Sequence, residues 1–247
     1  MSKVHTNRKN PAIVSLITDP KQIIPMDACV LIPPNRSKEV REIPPISFEM
    51  QRKFWLDTLF RTFPSLAIHE AVLKECFFPS ELHTYLQNHI GSNNLLLLKD
   101  SDLSALESSY RDSIEIDISN PTNYKPELDN SDDRGEVKSL AHIKTKNYPY
   151  FCSRDSKAIR LIDEADRLKT NLQDVNSIQT YEMMYYLTRL QMCKSREMKP
   201  FYKYLYHLTS WESKTNPEWG QFLSQMDLLY GEEIKNALNP DPISMNN

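Results

Sequence analysis

Acidic side chains are the residues of this sequence best placed to do chemistry. Asp27 is the one charged residue in the apolar stretch 22–32, and Glu75 closes Ala71-Val72-Leu73-Lys74-Glu75. Asp132, Asp133 and Glu136 gather just before Val137, Leu140 and Ala141, and Asp155 follows Tyr150-Phe151-Cys152. If these carboxylates meet, like charge raises their pKa values unless a cation neutralises them. Hard oxygen donors favour Mg²⁺ or Mn²⁺. The candidate ligands are therefore Asp27, Glu75, Asp133, Glu136 and Asp155, with Glu70 an alternative to Glu75 and Asp132 an alternative to Asp133. Plainer roles stay open: a turn residue at Asp27, a solvated helix residue at Glu75, and dipole-serving N-caps at 132, 133, 136 and 155.

Other chemistries are excluded by composition. The chain has 247 residues and only four glycines, Gly91, Gly135, Gly220 and Gly231, where average usage would give about 17. They never cluster, so no Gly-rich loop exists to cradle a phosphate with bare backbone N–H groups. Cys29, Cys76, Cys152 and Cys193 form no C-x-x-C pair. His69-Glu70 begins like a zincin motif, but Leu73 stands where the second His would be. The longest uninterrupted apolar run, 28–32, is far too short to span a membrane, and no apolar signal core follows Met1. A cytoplasmic protein is expected.

Charge is unevenly spread. Residues 97–136 hold eleven acids against four bases, and residues 137–210 hold thirteen bases against seven acids. That division suits a metal site beside an anionic substrate.

The elements that must position these groups follow from apolar spacing. Residues 1–11 read as a mobile polar arm, 13–17 as an edge strand, and 22–32 as a buried central strand. Helices are expected at 48–63, 70–77, 80–90, 103–110, from 132 or 133 through 143, and 155–168, and strands at 66–68, 114–118, 150–152 and 175–180. Helices then follow at 181–194 and 200–211, with an amphipathic tail over 217–238. Strands alternating with helices predict an α/β fold with a mostly parallel sheet, in which functional residues gather at the carboxyl ends of strands. The aromatic stretch Tyr181, Tyr185, Tyr186, Phe201, Tyr202, Tyr204, Tyr206 and Trp211 is expected in the core, with base stacking the alternative.

Four segments in order resemble the PIN-domain ribonuclease superfamily, in particular its VapC-like bacterial branch. They are Ile24-Pro25-Met26-Asp27, Ala71-Val72-Leu73-Lys74-Glu75, the D-x-G-E-like helix start Asp133-Arg134-Gly135-Glu136, and Cys152-Ser153-Arg154-Asp155. The chain departs from the family at Cys29, where members often carry a small polar residue. The segment between Glu75 and Asp133 is also longer than in compact toxins. The resemblance implies a PIN-like three-layer fold over 21–212, with a central mostly parallel sheet flanked by helices. An N-terminal arm (1–20) and a C-terminal helical extension (213–247) would complete the chain.

The same resemblance implies a divalent-metal-dependent endoribonuclease, of toxin–antitoxin or defence type. Asp27, Glu75, Asp133 and Asp155 would be catalytic, and Glu136 would join them on Mg²⁺ or Mn²⁺. Lys138, Lys144, Lys146, Arg154, Lys157 and Arg160 are the nearest bases in sequence and the expected RNA contacts. The rival expectations are a catalytically silent PIN-like protein or RNA interaction module, and a DNA-directed nuclease of the same fold. A protein inhibitor or partner on the C-terminal helices, and a homodimer, remain open; no membrane partner is expected.

Overall fold

The computed structural model of the chain describes residues 3–239. It is an α/β protein in which short parallel strands are flanked by helices. The chain divides into two compact units. One comprises the described parts of Met1–Lys21, Pro34–Thr62 and Tyr181–Asn247, and the other comprises Gln22–Pro33 and Phe63–Thr180.

All the acidic candidates lie in the second unit. Its strands β1 (Ile24–Pro25), β2 (Leu66–His69) and β3 (Leu96–Leu98) pair in parallel in that order, and β4 (Tyr150–Ser153) pairs in parallel with β5 (Asn176–Gln179). A parallel bridge between Met26 and Cys152, with the Asp27 N–H donating to the Cys152 carbonyl at 2.9 Å, joins the end of β1 to β4. The strands thus run β3-β2-β1-β4-β5. The chain winds outward from β1 to β3 and then returns to the other side of β1. In open parallel sheets such a reversal opens a crevice at the carboxyl ends of the two central strands. Every residue of β2 and β4 is buried, as expected of parallel strands covered on both faces.

Several sequence expectations are corrected. Residues 22–32 are not one strand: β1 ends at Pro25, and Asp27 is the N-cap residue of the helix Ala28–Leu31. An apolar run has no period that separates a buried strand from a buried helical turn. Residues 13–17 are not an edge strand either. They lie in the helix Pro11–Thr18, started by Asn10, whose side chain accepts from the Ala12 N–H, and by Pro at its first position.

The described part of the expected mobile arm is tied down, with the Val4 N–H on Asn216 Oδ1 (3.0 Å) and the Asn10 N–H on the Tyr230 hydroxyl (2.6 Å). The alternating Ile114, Ile116 and Ile118 belong to a single helix, Ala105–Ser119, opened by a Ser104–Glu107 capping box. It buries Arg111, Ile114, Glu115 and Ile118. That spacing is helical, and it outweighs a three-residue alternation.

The helices Arg134–Thr145 and Ser156–Asp163 pack Val137, Leu140, Ala141, Ala158, Leu161 and Ile162 into one buried cluster with Phe151 of β4. This anchoring fixes the first turns of both helices beside the end of β4. In the first unit, Tyr181, Tyr185, Tyr186, Tyr202 and Tyr206 are buried, with Tyr202 stacked on Phe222 at 4.8 Å. Most of the aromatic stretch is therefore core.

Candidate carboxylate site

Asp27 stands at the switch point, just past β1 and beside β4, and is almost fully buried. Its Oδ2 accepts from Ser153 Oγ (2.7 Å) and Cys29 Sγ (2.9 Å). Burial pushes its pKa upward, the two hydrogen bonds oppose that, and the Asp155 charge adds to it. Ser153 also accepts the Asp155 N–H (2.9 Å), so one hydroxyl ties together the two acids at the ends of β1 and β4. Asp155 caps its helix, accepting from the Lys157 N–H at 2.6 Å, while its charge still reaches Asp27 and Glu136.

Glu75 and Glu136 complete the cluster. Glu75 ends the helix Glu70–Glu75 and is exposed as a residue, but desolvation at its carboxyl and the Asp27 charge raise it to about 7; the Gly135 N–H and the Arg134 charge hold it back. Glu136, in the first turn of Arg134–Thr145, is raised to about 8 by burial and by Asp27, Glu75 and Asp155. Gly135 is required for this approach, because a Cβ at 135 would stand 2.2 Å from Glu75 Oε1. Asp27, Glu75, Glu136 and Asp155 therefore share one electrostatic environment, and the donor set suits Mg²⁺ or Mn²⁺.

Asp133 is not part of that set. It is the N-cap residue of its helix in the left-handed region (φ 54°), and its carboxylate accepts from the Asn123 N–H (3.0 Å) and Lys157 Nζ (3.3 Å). Asp132 is exposed, and Glu70 is engaged by the Asp100 N–H at 3.0 Å.

The expected RNA contacts are dispersed and engaged. Lys144 and Lys146 pair with Asp174 (2.5 Å) and Glu107 (3.0 Å), and at 1.5 Å per helical residue they sit about 12–15 Å along the helix from Glu136. Arg154 donates to the Cys29 carbonyl (3.0 Å). Lys157 and Arg160 line a cavity of about 140 Å³ together with Asp133 and Glu136. Lys138 pairs with Asp129 at 2.8 Å.

A second constellation had no counterpart in the sequence reading. His69 Nε2, His142 Nδ1 and Asp100 Oδ1 lie within 4.8 Å of one another, close enough for one metal ion. Among the described residues, no three of the four carboxylates come that close to one another. The proton arrangement of the His–Asp–His group works against a metal. His69 Nδ1 accepts the Ala71 N–H (3.2 Å), which places the ring proton on Nε2, aimed at Asp100 Oδ1 at 3.1 Å. Metal on Nε2 would leave an Nδ1–H facing a backbone N–H, the reverse of the usual arrangement in which the outer ring nitrogen donates. His142 Nδ1 reaches the same oxygen at 3.0 Å, and Arg111 Nη2 lies 2.9 Å from Asp100 Oδ2. Although burial pushes Asp100 upward, the hydrogen bonds from His142 and His69 hold it well below the usual carboxylate range. The group reads as a frame that joins β2, the start of Asp100–Asp102 and the helix Arg134–Thr145.

Sequence reasoning missed Ser153, although its place two residues before Asp155 was visible. It also missed the thiol of Cys29, which supplies a hydrogen bond to the first acid. In comparisons with known proteins, no family model, curated protein or solved structure matched the chain.

Proposed function

We propose that the chain is a divalent-metal-dependent nuclease acting on RNA phosphodiester bonds at Asp27, Glu75, Glu136 and Asp155. The observation that carries this reading is the gathering of four carboxylates at a switch point, where desolvation first and the neighbouring acids second raise Glu75 to about 7 and Glu136 to about 8. Such a set favours a divalent cation over four free charges. When bound, the ion would activate water and stabilise a leaving oxyanion.

The chain's own groups have distinct parts in this reading. Ser153 and Cys29 hold Asp27 through Oδ2, and the Ala28 N–H also donates to its carboxylate. The Gly135 N–H orients Glu75, and Ser153 sets the backbone of Asp155. Lys157 and Arg160 line the cavity beside Glu136 and are placed to neutralise a strand's phosphates.

The test is cleavage of single-stranded RNA with Mn²⁺ by the full chain and by Asp27→Asn and Asp155→Asn. The proposal expects loss of at least about 100-fold in each variant. Cleavage unaffected by both substitutions, or absent from the parent chain, would overturn it. A matched DNA strand cut faster than RNA would instead favour the DNA-directed reading.

A further inference from the structure

Asp129 occupies a site built like a phosphate receptor. Its Oδ1 accepts from Lys138 Nζ (2.8 Å) and from the Tyr124 hydroxyl (3.0 Å), and its Oδ2 lies 3.6 Å from Arg134 Nη1. Arg134 and Lys138 are four residues apart on one helix and so share a face. The Lys138 ammonium also lies 5.9 Å from the Tyr124 ring centroid. These groups open into a cavity of about 90 Å³ lined also by Lys74 and His69 and by two further acids, Glu70, held by the Asp100 N–H, and Asp100, paired with Arg111 and the two histidines. The Arg134 charge reaches Glu75, so the receptor adjoins the carboxylate cluster.

We propose that Arg134 and Lys138 form a subsite for a backbone phosphate of the substrate strand, and that Asp129 is its built-in competitor. A guanidinium and an ammonium converging on one anion are the donors that recognise phosphate. The Asp129 side chain is 54% exposed, so its carboxylate can leave the subsite without exposing core. Asp133 places a second carboxylate of the same loop on Lys157, on the cavity that contains Glu136. Both flanks of the carboxylate cluster thus have bases covered by acids from residues 120–133. The inference rests on the nuclease reading for the identity of the anion, an RNA strand.

Binding without cleavage separates the two. Fluorescence anisotropy with a labelled single-stranded RNA of about 12 nucleotides, in EDTA, compares the full chain with Asp129→Asn, Lys138→Gln and the double variant. Asp129→Asn is expected to bind about 5- to 10-fold tighter at low salt, with a log–log salt slope steeper by about 0.7 for each phosphate gained. Lys138→Gln is expected to bind more weakly than the parent, and the double variant to lose the gain. Equal or weaker binding by Asp129→Asn, or a gain that survives Lys138→Gln, overturns the subsite. Should Asp129→Asn misfold by thermal melting, undiminished binding by Lys138→Gln overturns it alone. An Asp129→Asn chain that binds tighter yet never cleaves with Mn²⁺ sinks the nuclease reading and leaves the subsite standing.

Discussion

Ser153 holds more of the site than its size suggests, because one hydroxyl serves both Asp27 and the Asp155 backbone. Ser153→Ala is expected to cost about 1–3 kcal/mol of stability, the range for leaving a buried polar group without its hydrogen-bond partner. It should also weaken Mn²⁺ affinity; urea unfolding and metal titration measure the two losses. Cys29→Ser keeps a donor at Asp27 and should retain Mn²⁺ affinity, whereas Cys29→Ala should lower it. Protonation gives a third test at this scale. An acid whose folded pKa lies above its unfolded value favours folding when protonated. For Glu75 and Glu136 the penalty is absent below their ordinary 4.5 and grows as pH rises through about 7 and about 8. Metal-free protein should therefore melt lower at about pH 8.5 than at about pH 5.5, and Mn²⁺ should raise the melting temperature more at the higher pH.

At the scale of elements, the contact between two helices depends on a missing methyl group. Gly135 lies in the first turn of Arg134–Thr145, where alanine would be the better helix former by up to about 1 kcal/mol. The atoms that a Cβ would meet are those of the Glu75 carboxyl, the far end of a long side chain that can turn aside. Gly135→Ala should consequently keep or raise the melting temperature while lowering Mn²⁺ affinity and cleavage; equal affinity for parent and variant would refute that account.

Element scale also explains what could be read from the sequence. Asp27, Glu75, Glu136 and Asp155 were visible because each stands at an element boundary marked by an apolar run. Asp133 was a misleading neighbour of Glu136: residues three apart share a face of a regular helix, but Asp133 is the N-cap residue with a left-handed backbone, and its carboxylate turns to the Asn123 N–H and Lys157. Residues 22–32 misled because an unbroken apolar run has no period, and Ile114–Ile116–Ile118 misled because the alternation was shorter than the helical pattern around it. The His69–Asp100–His142 group joins residues far apart in sequence, so no local spacing could announce it.

At the scale of the whole chain, the first unit is gathered from three separated segments. It buries the ion pair Arg36–Glu212 (2.8 Å), with Arg36 also donating to the Leu205 carbonyl at 3.0 Å. Removing one partner from a buried pair typically costs about 3–5 kcal/mol, because the other charge is left without compensation. Arg36→Met should lower the unfolding free energy by that order, measured by urea unfolding, with amide hydrogen exchange rising over 34–62 and 181–239.

That threading has a consequence for synthesis. The polypeptide crosses from one unit to the other four times, at about residues 21, 33, 62 and 180. Asp27 emerges from the ribosome more than a hundred residues before Ser153 and Asp155 and must wait for them before its carboxylate has its partners. The first unit waits longer still, for the helix Trp219–Leu238, which receives the anchors of Thr6, Lys9 and Asn10. Chains cut before that helix would lack the closing part of the first unit, so the unit that opens before Asp27 is completed only after the carboxylate site has its partners.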